Sequence, residues 1–109
     1  MSWDIHYADS ARRDLHDIYE YIADTLLEPP TAQKLVRLIT SEISKLDEMP
    51  LRFRIYEHEP WRHRGLRFFP VKNYLVFYLP DEGTRTVDGV RIFYGGMDIS
   101  KQLSEIVDI

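Results

Sequence analysis

The run NYLVFYL, residues 73–79, sets the tightest limit on what this chain can become. In an extended strand Tyr74, Val76 and Tyr78 face one way and Leu75, Phe77 and Leu79 the other. Both sets are apolar, so the strand belongs in the middle of a sheet with cover on both faces. What precedes and follows it is also strand-like. GLRFFPV ahead of it is a short strand with Pro70 near an edge or an end. PDEGT after it is a hairpin turn, and TVDGVRIFYG is the next strand, with Gly89 a candidate bulge.

The first half of the chain reads differently. SWDIHYA alternates Trp3, Ile5 and Tyr7 against Ser2, Asp4 and His6, a half-buried strand. Asp9 or Ser10 offers a helix N-cap, and Ala11, Leu15, Ile18, Ile22 and Leu26 then form one apolar stripe. EPPT breaks that helix: Pro30 suits the first turn of a new one, and Pro29 holds its neighbour out of helical geometry. Leu35, Val36, Ile39, Ile43 and Leu46 make a second amphipathic helix, which Pro50 stops. So short a link predicts an antiparallel helical hairpin. Asp98 can cap a last helix along Ile99, Leu103, Ile106 and Val107. The expected order is β-α-α-β-β-β-α. It is an α+β domain in which an antiparallel sheet carries the helical hairpin on one face and ends in a short C-terminal helix. At 109 residues one domain, 1–109, is expected.

Charge is unevenly placed. The chain is acidic, net −4, yet residues 51–72 hold six cations against two carboxylates, while residues 1–50 hold five against ten. That asymmetry predicts a local anion-binding surface or a solvated basic loop, not general nucleic-acid affinity. The cations Arg62, Arg64, Arg67 and Lys72 lead into Tyr74, and Arg91 and Tyr94 lie on the following strand. Arg binds phosphate as a bidentate fork, and Tyr can stack on a base. Arg67, Phe69 and Val71 share a face. Arg91 and Phe93 share one on the last strand, with Ile92 and Tyr94 opposite, so Arg91 and Tyr94 reach one site only through an irregularity. A salt bridge to a helix carboxylate is the simpler use of Arg91, and core packing that of Tyr78.

Several chemistries find no support. There is no cysteine, hence no disulfide frame and no thiolate site. His6, His16, His58 and His63 lack metal-ligand spacing, and there is no nucleophile elbow or Gly-rich phosphate loop. No cofactor or metal is expected. No leader and no membrane-length apolar run is seen, so the expected setting is the cytoplasm, with no membrane partner.

Three blocks, taken together, are similar to a known family. ARRDLHDIYEYIAD carries Asp14, Leu15, Ile18, Tyr21 and Ile22; VKNYLVFYL carries Asn73, Tyr74, Val76 and Tyr78; VRIFYGGMDISKQL carries Arg91, Ile92, Gly95, Asp98, Ile99 and Leu103. They resemble the RelE/ParE superfamily of bacterial toxins of type II toxin–antitoxin systems, which includes plasmid stabilisation proteins. The resemblance implies a growth-inhibiting toxin held inactive by a cognate antitoxin in a hetero-oligomer. RelE-like members cut messenger RNA on the ribosome; ParE-like members inhibit DNA gyrase. Of the cleaving set only Arg67 carries over: Gly65, Tyr74, Met97 and Leu103 stand where cleaving members place basic residues and a C-terminal Tyr. The resemblance therefore implies a ParE-like, non-catalytic toxin with Arg62, Arg64, Arg67, Lys72, Tyr74 and Arg91 as its binding surface. The alternatives are a ribosome-dependent endoribonuclease, with Arg62, His63, Arg64 and Arg67 as its site, and a family relic without toxicity.

Overall fold

A computed structural model describes residues 2–96 and 98–104, and the side chains of all of these except Ser100, Gln102 and Ser104. The chain opens with β1 (Asp4–Tyr7) and α1 (Asp9–Glu20), which runs into a π-helical turn at Tyr21–Thr25. Next come α2 (Pro29–Ser44), a 3₁₀ turn (Lys45–Asp47) and a single short helical turn, α3 (Trp61–Arg64). The rest is β2 (Arg67–Val71), β3 (Tyr74–Asp81), β4 (Thr86–Tyr94) and α4 (Ile99–Ser104).

The four strands lie in the order β1-β4-β3-β2. β2, β3 and β4 form the expected antiparallel meander. β1, however, runs parallel to β4, Asp4 opposite Thr86 through Tyr7 opposite Gly89, so the sheet is mixed where an antiparallel one is expected. The reason is the connection: parallel neighbours need a long crossover, and the helical hairpin with the segment after it supplies one. The bulge falls one residue beyond Gly89. Phe77 opposes Arg91 and Tyr78 opposes Gly89, leaving Val90 as the extra residue.

β3 is central and covered on both sides, as its doubly apolar sequence requires. On one face Val76 and Tyr78 join Phe69, Val71, Val87 and Ile92 beneath the hairpin's Ala11, Ile18, Ile22, Ala32, Ile39 and Ile43. On the other, Phe77 stacks between Phe68 and Phe93 at ring-centroid distances of 5.3 and 5.1 Å. That second core is closed by Tyr56, Trp61, Leu66 and, from α4, Leu103. Residues 51–64, which lack an apolar period, roof the second face from Arg54 on with Leu66 just after them, while Phe53 stacks on Phe69 in the first core at 4.5 Å. Ile55 bridges to Arg67, Tyr56 N–H donates to Leu66 C=O and Phe68 N–H to Arg54 C=O, so the roof also lines the outer edge of β2.

Two ends differ from expectation. α1 is preceded by Ala8, and Ser10 does not cap it: its buried hydroxyl donates to Val90 C=O instead, at 2.6 Å. Pro29 and Pro30 both sit in the first turn of α2. Asp98 does cap α4, accepting from Lys101 N–H at 3.2 Å. Ile106 and Val107 lie outside the described residues.

Candidate functional site

The residues expected as one surface fall into two places. Arg62, His63 and Arg64 are all exposed on α3, which is pinned by its buried Trp61 and ended by Gly65 in the left-handed conformation, φ 79°. Gly65 is therefore a helix cap. Arg64 lies over the Trp61 ring at 5.3 Å, and His63 Nδ1 is 2.6 Å from a Glu59 carboxylate oxygen. That bond holds the Glu59 carboxyl below its ordinary value. Neighbouring arginines are placed alike: Arg52 lies over Phe53 at 4.6 Å and Arg54 over Phe68 at 4.7 Å. Arg52, Arg54 and Arg64 thus each cover an aromatic ring, and for Arg64 that ring, Trp61, anchors the roof. A hollow of about 380 Å³ opens beside them, lined by residues 54–58 and Phe68.

Arg67 does not join this group. It shares the face of Phe69 and Val71, under the hairpin, and its guanidinium donates to the backbone carbonyls of Leu51 and Phe53. Its register partner, Tyr78, is fully buried and donates to Pro50 C=O at 2.6 Å. Burial pushes the Tyr78 phenol up to about 12. Arg67 and Tyr78 together satisfy three carbonyls of the 50–53 loop, a structural task.

Lys72 and Tyr74 lie at the opposite end of the meander, and Arg91 lies midway along β4, opposite Phe77. Lys72 is exposed in the β2–β3 turn at φ 55°. Tyr74 and Arg91 line an open groove of about 750 Å³ between α1 and the β4 edge, with Asp14, Asp17, Ile18, Tyr21, Phe93 and Tyr94. Arg91 makes the helix salt bridge: Nε donates to Asp14 Oδ2 at 2.7 Å and Nη2 to Oδ1 at 3.2 Å. The same carboxylate accepts Ile92 N–H at 2.8 Å. Burial nevertheless raises the Asp14 carboxyl above its ordinary value. Arg91 stays on the Phe93 side, 5.6 Å from that ring, and its guanidinium turns around the strand edge, which is how it shares a groove with Tyr94. Tyr74 and Tyr94 meet edge to face at 6.0 Å. Burial, then the Tyr21 and Tyr94 phenols, raise the Tyr74 phenol.

Asp14, Asp17 and Tyr21 are groove residues that sequence reasoning left out. Their spacing, i, i+3 and i+7, puts them on one stripe of α1 and the start of the turn that follows it, which was the available signal. Among the described residues no cluster suits a metal ion, and no helix is long and apolar enough to cross a membrane. Met97 lies outside the described residues; Leu103 is fully buried in the second core.

Comparison with solved structures finds this fold in toxin–antitoxin systems. The chain is 19% identical to a chain of the chromosomal ParDE system from P. aeruginosa, covering 85% of this chain and 96% of that one, with TM-score 0.69. It is 21% identical to a chain of the toxin–antitoxin complex RelBE2 from Mycobacterium tuberculosis, covering 86% and 92%, with TM-score 0.65. It is 11% identical to a mutant of the E. coli toxin RelE in the free state, covering 97% and 95%, with TM-score 0.63. A comparison with curated protein sequences finds no match. A family profile described as the ParE toxin of the type II toxin–antitoxin system parDE matches residues 5–99, nearly the whole of the described fold, and the chain belongs to that family.

Proposed function

We propose that this toxin acts as a ParE-like protein, by binding a protein target with DNA gyrase the first candidate, and that a cognate antitoxin neutralises it in the cytoplasm. The observation that carries this reading is the state of the four described positions among the five a cleaving relative would use, the fifth being Met97. Leu103 fills the core, Gly65 caps α3, Tyr74 packs on Tyr94, and the guanidinium of Arg67 is spent on loop carbonyls. Cleavage by 2′-OH attack needs a proton acceptor, a proton donor and cations aimed at one phosphate. The exposed cations of α3 and the groove residues lie apart and offer no such convergence. The antitoxin's landing surface is the groove by α1 and the β4 edge, with Arg62 and Arg64 available to an acidic stretch.

One observation favours the endoribonuclease reading: Arg62, Arg64 and the Glu59-bonded His63 are together and exposed on α3. Expression of the toxin alone, with DNA synthesis and translation labelled separately, decides. The expected outcome is growth arrest with DNA damage and intact messages. Prompt loss of translation with cut messages overturns the proposal, and undisturbed growth would identify a relic.

A further inference from the structure

β4 outruns its parallel neighbour. β1 ends at Tyr7, opposite Gly89, while β4 continues to Tyr94. Two side chains of α1 substitute for the missing strand: Ser10 donates to Val90 C=O, and Asp14 accepts Ile92 N–H. Past Ile92 no strand lies on that side among the described residues. Here the molecule leaves two large rings in water, Tyr21 at 54% and Tyr94 at 52% exposure. Tyr21, still helical at the end of α1 and seven residues after Asp14 on the same stripe, lines the groove with Tyr74 and Tyr94, so three phenol rings edge one opening.

The charge of this opening selects its occupant. Asp14 is neutralised by its two bonds to Arg91. Asp17 is exposed, and no ion pair engages it among the described residues. The groove therefore presents one uncompensated carboxylate beside three ring faces. A carboxylate occupant meets repulsion from Asp17 and finds Arg91 already engaged. A purely apolar one leaves the Asp17 side chain without a polar partner. A guanidinium satisfies both demands, because it is flat enough to stack on phenols, weakly hydrated, and forked to fit a carboxylate. An ammonium is a more strongly hydrated point charge and fits less well.

We propose that the groove at the open edge of β4 is a guanidinium site: an extended peptide segment lies along β4 beyond Ile92 and inserts one arginine among Tyr21, Tyr74 and Tyr94, paired with Asp17. This deepens, and rests on, the reading of the groove as the antitoxin's landing surface, and it specifies what the antitoxin segment carries there. The segment adds backbone bonds to the unfinished edge, and the arginine gives it register.

The test uses the isolated toxin and two blocked pentapeptides, Thr-Val-Arg-Val-Thr and the same sequence with citrulline, the neutral isostere, in place of arginine. Amide and ring resonances are followed by NMR during titration. The arginine peptide should give saturable shifts at Asp17, Tyr21, Tyr74 and Tyr94, and bind about tenfold more tightly than the citrulline peptide. Asp17→Asn should remove that preference, and Tyr94→Ala should weaken the arginine peptide. Both positions are exposed, so urea midpoints should be unchanged. Equal binding of the two peptides, shifts that map to α3, or no saturation would overturn the proposal. So would concentration-dependent shifts at these residues without peptide, which would mean a second copy of the chain as occupant. No antitoxin and no toxicity enters the assay, so its failure leaves the toxin reading standing, and the reverse holds for the expression experiment.

Discussion

Arg67 and Tyr78 sit opposite one another across β2 and β3 and close on the same loop. Arg67→Ala strands the carbonyls of Leu51 and Phe53, at a cost of about 2 kcal/mol, whereas the exposed pair Arg62→Ser and Arg64→Ser should stay within about 0.5 kcal/mol of the parent. Urea unfolding of the two variants separates a structural arginine from surface ones, and equal midpoints would refute the assignment. Tyr78 makes a pH prediction. Its phenol, ordinarily at 10.0, is pushed to about 12 in the fold. The folded state therefore holds the proton more tightly. That contribution is complete below about pH 10 and is lost as pH rises through 12, amounting to about 2–3 kcal/mol. The stability difference between parent and Tyr78→Phe should shrink across that window, and a difference constant with pH would contradict it. At this scale the sequence showed that Tyr78 is a core residue and that Arg91 suits a helix carboxylate. It could not show the task of Arg67, because the carbonyls it serves lie fourteen and sixteen residues away in a segment without period.

Among the elements, those with a period were readable and those without were not. The helical hairpin, the meander and the capped last helix follow from spacing, proline and turn residues. Alternation in β1 indicates which face it buries but not which neighbour it takes, so its parallel pairing with β4 was hidden. The roof over 51–64 was hidden because its anchors, Tyr56 and Trp61 with Leu66 just after them, are held by contacts distant in sequence. Asp14 looked like surface charge because nothing local distinguishes it from Asp17; only the bulged end of β4 makes it a partner. α4 allows a direct check of its packing. Leu103 is fully buried, so Leu103→Tyr overfills the second core and should cost about 1–3 kcal/mol in thermal or urea unfolding. An unchanged midpoint would mean that this position has room for a phenol and that α4 does not seal the core.

Over the whole molecule, one sheet serves two unequal covers. The hairpin side is regular secondary structure with helical periodicity to maintain. The roof is a connecting segment that must supply three apolar anchors and little else. Its intervening residues, Arg62, His63 and Arg64 among them, face water, Arg64 while lying over the Trp61 ring. The solved structures that share this fold do so at 11 to 21% identity, so the scaffold tolerates extensive rewriting. A segment anchored at three points is where such rewriting is cheapest. The roof therefore divides the chain's evolutionary freedom. Mutation can exchange the outward charges while Tyr56, Trp61 and Leu66 keep the sheet dry.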